Sequence, residues 1–249
     1  MAVRVSEAIV LRTYPYQEAD LIVSFLTRDQ GKLRGMARRA RRPKSRFGAG
    51  LERLSYVRMS YYLRENRELA TLDSCELIRS QFHLLSDYSA SVVLDYIAEV
   101  TDNLLPPMER NERFFRLVLA VLDHVHAGRP GAVWQAVSYF SLWAVRLAGW
   151  MPQLEACTGC GLSLEPPERA FFRRDADGVL CGHCLPSGRW ELSAESRALT
   201  HAMYRLPVAE FASHPWTKET AADLRRFLVQ RIERAVERSL TTAPLLESC

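Results

Sequence analysis

Two cysteine pairs, Cys157-Thr-Gly-Cys160-Gly and Cys181-Gly-His-Cys184, are the residues in this sequence whose type and spacing most directly prescribe a chemistry. Two Cys-x-x-Cys knuckles brought together supply the four soft thiolates that a tetrahedral zinc ion takes at about 2.3 Å each. Gly161 eases the turn of the first knuckle. The intervening RAFFRRDADGVL, Arg169 to Leu180, reads as a hairpin turning at Asp175 to Gly178 that folds one knuckle onto the other. With Cys157, Cys160, Cys181 and Cys184 all serving as ligands, no coordination position is left for water, so one Zn2+ here is structural rather than catalytic. His183 could replace a sulfur, but a complete thiolate shell leaves it facing outward. Cys-Gly-His-Cys is also a dithiol oxidoreductase pattern, in which the first thiolate sits at a helix N-terminus. Leu-Pro-Ser-Gly follows here instead of a helix start, and a second pair lies upstream, so the spacing favours metal. Cys75 and Cys249 are left over as free thiols.

A second constellation is electrostatic. The stretch RGMARRARRPKSRFGAG, Arg34 to Gly50, contains no acidic residue, and with Lys32 it gathers Arg34, Arg38, Arg39, Arg41, Arg42, Lys44 and Arg46 on one short piece of chain. Such crowding is relieved only by salt or by a polyanion. It could be a solvated disordered run, a targeting signal, a membrane-surface patch or a loop that grips nucleic acid. Its position between predicted strands argues against the first two, and it lacks the apolar face that a membrane patch needs. These eight cations are therefore the candidate nucleic-acid-binding residues. Tyr14, Tyr16, Phe47 and Tyr61 are candidates for stacking on bases, whereas Phe25 and Tyr56 read as core.

The elements that must position these groups change character along the chain. Glu7–Thr13, Asp20–Thr27, Gly31–Met36, Ser55–Leu63 and Arg67–Cys75 read as strands. The turn RDQG places Gly31 in a left-handed conformation, and ENRE near Glu65 closes another hairpin. Five strands with a long connection after the third fit a small OB-type Greek-key barrel, and the basic stretch is that connection. From Ser80 the period becomes helical: Val93, Ile97, Val100 and Leu104 form one stripe, and Phe114, Leu117, Val118, Val121, Leu122 and Val125 another. A third helix, Ala132–Ala148, carries Val133, Trp134, Val137, Phe140 and Trp143 and is expected at the centre of an all-α domain. Segments Ser193–Leu206 and Thr217–Leu240 supply two further helices. The expected class is α+β and multidomain: an OB-type barrel over 1–79, a helical domain over 80–150, an inserted zinc ribbon over 151–190, and C-terminal helices over 191–249 packing back on the helical domain.

With 249 residues, 48% of them hydrophobic and 25% charged, the chain can bury a real core, and its net charge of +4 makes the local clustering of cations more informative than the total. The N-terminus MAVRVSEAIVLRTY lacks the apolar run of a signal peptide, and Ala132–Leu147 is interrupted by Gln135, Ser138, Ser141 and Arg146, which suits a buried helix better than a bilayer span. A cytoplasmic protein with no membrane partner is expected.

The N-terminal third, EAIVLRTYPYQEADLIVSFLTRDQGKLRGMARRARRPKSRFGAGLERL, resembles the opening of the RecO family of bacterial recombination mediators. The features that carry the resemblance are the strand ending in VLRTYPYQEAD, the TRDQGK hairpin and the arginine-rich segment leading to KSRF; the helical middle and the four-cysteine element match in order and length. The resemblance implies a non-enzymatic, nucleoid-associated protein that binds single- and double-stranded DNA and anneals complementary strands without ATP. It further implies RecR and the acidic, apolar C-terminal tail of single-strand-binding protein as partners, with RecA loaded indirectly on coated strands. The cysteines vary among members, so they bear on fold rather than activity.

Two other functions compete. The chain has no P-loop, no Gly-x-Ser-x-Gly and no His-Glu-x-x-His, but Glu18, Asp20 and Glu52 lie near the basic segment and would be the acids of a metal-dependent nuclease. An RNA- or ribosome-associated OB plus zinc-ribbon protein would show the same sequence features. Arg169, Arg173 and Arg174 beside the ribbon are possible extensions of a nucleic-acid path.

Overall fold

Runs rich in Val, Ile, Leu and Tyr form five strands in the computed structural model, which describes residues 3–64, 68–185, 190–211 and 216–249. They are β1 (Arg4–Tyr16), β2 (Asp20–Thr27), β3 (Gly31–Ala37), β4 (Tyr56–Tyr62) and β5 (Leu69–Arg79). The barrel closes in the order β1-β2-β3-β5-β4, with β3 and β5 parallel and the other neighbours antiparallel. This is the OB topology. Gly31 has φ +72°, and a Cβ there would collide with the Glu109 carbonyl, so the hairpin requires glycine at that position. The first three residues of the ENRE turn, 65–67, lie outside the described residues.

β1 and β5 run past their expected ends. β1 pairs with β4 along its first half and with β2 along its second, and a bulge between Val10 and Arg12 re-aims the strand at the changeover. Val10, Val23, Phe25, Leu33, Met59, Tyr61 and Leu72 fill the barrel, and Phe25 meets Tyr61 edge to face at 5.8 Å.

The chain divides into two compact units, Met1–Arg116 with Leu240–Cys249, and Leu117–Ser239. The first thus includes α1 (Tyr88–Leu104) and α6 (Ala243–Ser248) beside the barrel. Asp87 caps α1 by accepting from the Ala90 amide at 3.0 Å. Glu99 of α1 receives the backbone amides and hydroxyls of Thr241 and Thr242 at 2.6–2.9 Å, which fastens the start of α6.

The second unit holds α3 (Ala132–Leu147), α4 (Ala194–Arg205), α5 (Ala222–Ala235) and a small sheet of β6 (Ala170–Phe172) and β7 (Trp190–Leu192); α2 (Glu112–His126) spans the division. α3 packs on α5. Its buried face includes Ala136, Val137, Phe140, Leu142 and Val145, while Val133, Trp134 and Trp143 are only half buried. Polar residues share the buried face because each finds a partner: Ser138 and Ser141 donate to carbonyls one turn back, and Gln135 accepts from His124 at 2.8 Å. Among the described residues no helix is long and apolar enough to cross a membrane.

Candidate nucleic-acid interface and metal centre

The basic connection between β3 and β4 is folded, not a loose run. The Asp20 carboxylate accepts from the Arg39 amide at 2.7 Å, the Arg41 amide donates to the Ala19 carbonyl at 3.0 Å, and the Arg42 amide bonds back to Arg39 at 3.1 Å. Arg39 and Lys44 take left-handed φ values of 56° and 60° to make these turns. Downstream, Phe47 and Leu51 enter the barrel core, the first just before and the second at the end of a short 3₁₀ turn, Gly48–Leu51. Burying a residue of that size contributes roughly 1.5–3 kcal/mol, enough to hold one end of the loop down against charge repulsion.

Arg34, Arg38, Arg39, Arg41, Arg42, Lys44 and Arg46 all stay exposed. Arg46 bonds Asp73 at 3.1 Å, while Arg34, Arg38 and Arg42 have no acidic partner among the described residues. Lys32 is the correction. It is 9% exposed, and its ammonium donates to the Asp102 backbone carbonyl and lies 3.9 Å from the Asp102 carboxylate, which also accepts from Ser24 at 2.5 Å. A cation so enclosed is a structural tie between β3 and α1, and it leaves the exposed cationic set. Two stacking candidates are corrected for the same reason, since Phe47 and Tyr61 lie inside the barrel. Tyr14 and Tyr16 remain on the surface, half buried and 40% exposed respectively.

The strand register shows what surrounds them. Tyr14 pairs with Ile22, which pairs with Met36, and Arg12 pairs with Ser24, which pairs with Arg34. Directly opposed residues share a face, so Arg12, Tyr14, Ile22, Arg34 and Met36 belong to one outer surface of β1-β2-β3. Arg12 lies over the Tyr14 ring at 5.3 Å. Sequence reasoning did not select Arg12; the signal for it is the two-residue spacing Arg12-x-Tyr14-x-Tyr16. Among the described residues, Glu18, Asp20 and Glu52 do not gather into a cluster of metal-binding side chains.

The cysteines do gather. The first knuckle is closed by the Ala156–Ser163 bridge, by the Cys157 amide donating to the Leu162 carbonyl at 2.8 Å, and by Gly161 at φ +75°. The expected hairpin forms through paired bonds of Phe171 and Leu180, and β7 joins β6 on its other side. Cys157, Cys160, Cys181 and Cys184 end with their sulfurs all within 4.8 Å of one another, Cys160 and Cys181 at 3.7 Å. Sulfurs at the corners of a tetrahedron of about 2.3 Å radius stand about 3.8 Å apart. The donor set therefore fits a metal ion. Burial opposes ionisation of Cys157, yet the amides of Cys181, Cys160 and Gly159 aimed at its sulfur bring the thiol down to about 6. Hydrogen bonds to the sulfurs of Cys160, Cys157 and Cys181 push Cys184 up to about 12. A divalent ion bound among the four sulfurs would favour their thiolate form. His183 is exposed, and Pro186–Gly188 lie outside the described residues.

Two helices grip this element. The buried Arg197 of α4 donates to the carbonyls of Leu154, Leu164 and Glu168, and Arg231 of α5 donates to Ala176 at 2.8 Å. The ribbon arginines are answered by acids: Arg169 pairs with Glu191, Arg173 with Asp175 at 3.0 Å and Arg174 with Glu233 at 2.5 Å. Elsewhere in this unit a cavity of about 310 Å³ is lined by Met151, Pro152 and Leu154 and by Arg146, whose guanidinium lies 4.1 Å from the Tyr204 ring centroid.

A closed OB barrel with an exposed, fastened cationic loop, followed by helices that carry a four-cysteine cluster, defines a multidomain OB-barrel protein with a metal-competent accessory element. Residues 1–81 match the family model described as Recombination protein O N terminal, and residues 85–244 the one described as Recombination protein O C terminal. The chain belongs to this family, the RecO family of DNA repair proteins. It is 47% identical over 242 residues to the DNA repair protein RecO of Koribacter versatilis, covering 97% of either chain. To the proteins of the same name from Anaeromyxobacter sp. strain K and Symbiobacterium thermophilum it is 32% identical, over 96% and 100% of this chain and 94% and 98% of theirs.

Proposed function

We propose that this protein is a non-enzymatic DNA-binding mediator that anneals complementary strands and helps load RecA recombinase on DNA coated with single-strand-binding protein. The observation that carries the reading is the exposed cationic stretch Arg34–Arg46, whose loop after Ala37 is held to the barrel by backbone bonds and by Phe47. Cations fixed on one surface neutralise the phosphates of two strands together, which lowers the electrostatic cost of bringing complementary bases into register. Single and double strands both present the phosphates that such a surface reads.

On this reading the protein partners are RecR and the acidic, apolar tail of single-strand-binding protein. The cavity beside Arg146 offers such a tail the apolar side chains of Met151, Pro152 and Leu154 and an arginine stacked on Tyr204, and its one lining carboxylate, Glu155, is engaged by His201 at 3.1 Å. Zinc is the metal that suits four thiolates in a closed shell, where it acts on stability and not on a reaction. The deciding experiment is strand annealing on DNA coated with single-strand-binding protein. Acceleration by the protein, lost when the tail of the coating protein is deleted, supports the reading. Cleavage of labelled DNA with magnesium or manganese would overturn it in favour of a nuclease, and strong preference for RNA over single-stranded DNA in favour of an RNA-associated role.

A further inference from the structure

The outer face of β1-β2-β3 has features that charge neutralisation alone does not account for. Its middle row, Tyr14-Ile22-Met36, is partly exposed and apolar, and Tyr16 extends it toward the β1–β2 turn at 40% exposure. Arg12 and Arg34 flank the row on the Ser24 side. On the other side the basic loop begins directly after Ala37, whose strand partner is Leu21, and its Arg39 amide is bonded to Asp20, the partner of Tyr16. Asp20 is thus engaged by the loop. The face is an apolar, aromatic strip between two sets of cations.

Resting on the proposed DNA-binding reading, we infer that this strip is a base-stacking subsite for single strands, with Tyr14 and Tyr16 against nucleobases and Arg12 and Arg34 beside the backbone. Charge complementarity selects the occupant: a strip bordered by arginines suits a chain that alternates flat apolar bases with anionic phosphates. A duplex offers its phosphates but keeps its bases stacked on each other, so it reaches the loop and not the strip. Single-strand preference therefore resides in the tyrosines, whereas affinity common to both forms resides in the loop. The cation–π contact of Arg12 with Tyr14 fixes the ring in place before a strand arrives.

The test compares full-length wild type with Tyr14→Ala/Tyr16→Ala and Tyr14→Phe/Tyr16→Phe, titrated with a single strand and with duplex of equal length over a range of salt. The alanine pair is expected to lose on the order of tenfold or more in single-strand affinity. It should keep its duplex affinity, and its salt slope should not change because no phosphate contact is removed. The phenylalanine pair, which retains both rings, is expected to bind like wild type. Photocrosslinking of wild type to a strand containing 5-iodouracil is expected to label Tyr14 or Tyr16, a readout that does not depend on a variant folding. The inference is overturned if the folded alanine pair binds single strands like wild type, if it loses single and double strands equally, or if crosslinks map elsewhere. A wild-type protein that binds no DNA at all overturns the DNA-binding reading itself, a result readily told apart from the others.

Discussion

Replacing Arg38, Arg39, Arg41 and Arg42 together by Ala removes charge while leaving the framework of the loop in place. The bonds that shape it run through backbone atoms, from the Arg39 amide to Asp20, from the Arg41 amide to Ala19 and from the Arg42 amide to Arg39. Arg39 already has a side chain at φ 56°, so Ala adds no backbone strain there. The variant should fold, and relief of like-charge repulsion offsets part of whatever packing is lost. Each phosphate contact on a single strand contributes about 0.7 to the slope of log affinity against log salt, so four contacts flatten it by up to about 3. Between 50 and 200 mM salt a slope of that size changes affinity about 60-fold, and this share of the salt dependence should vanish in the variant. Fluorescence anisotropy with a labelled oligonucleotide at several salt concentrations reads both quantities, and wild-type and variant curves should converge toward high salt. Annealing should fall in parallel. A folded quadruple variant that keeps wild-type affinity and slope would falsify the loop as the electrostatic contact.

Freshly purified protein should carry one equivalent of zinc by elemental analysis, and Cys157→Ser or Cys181→Ser should release it and lower the melting temperature more than DNA affinity; metal-free protein with a cycling Cys181–Cys184 disulfide would revive the redox alternative. Asp102→Ala should destabilise the barrel unit in chemical denaturation, because it removes the carboxylate that accepts from Ser24 and lies 3.9 Å from the enclosed Lys32 ammonium, while Lys32 keeps its bond to the backbone carbonyl of residue 102; Lys32→Met combined with Asp102→Leu should recover most of the loss. Burial holds the His124 imidazole below its ordinary value of 6.5, against the raising effect of its bond to Gln135. Its stabilisation is therefore complete above about 6.5 and lost as pH falls toward the lower folded value, at no more than about 1.4 kcal/mol per pH unit. A His124→Asn variant should show a shallower acid limb in thermal melts.

The cysteine site was legible because its information is local: spacing, the following glycine and a short hairpin together determine it. The barrel was legible because runs rich in Val, Ile, Leu and Tyr are punctuated by short turn sequences such as RDQG. What failed depended on distant partners. In Gly31-Lys32-Leu33-Arg34 nothing distinguishes the two cations, which share the outer face; Asp102, far along the chain on α1, encloses only Lys32. Phe47 and Tyr61 resembled Tyr14 and Tyr16 as surface aromatics, but Phe47 is buried because the loop folds back, and Tyr61 because β4 turns that residue inward. The grip of Arg197 and Arg231 on the carbonyls of the cysteine element was equally hidden, since a backbone acceptor leaves no trace in residue identity.

Separating charge from stacking gives the proposed annealing function a direction. A strand whose bases lie flat on Tyr14 and Tyr16 is held by ring faces, which leaves its hydrogen-bonding edges open to a complementary strand. Once pairing begins, the bases stack on each other and the tyrosines lose their ligand, while the loop keeps its hold on phosphate. Release of the bases forfeits the stacking contribution, roughly 1–3 kcal/mol for each base, which opposes the stronger electrostatic hold on the denser phosphates of the duplex product. On this reading the surface concentrates single strands, presents them for pairing and relaxes its grip on the product without ATP. A surface built from cations alone would instead bind the duplex more tightly, because duplex DNA carries the higher charge density.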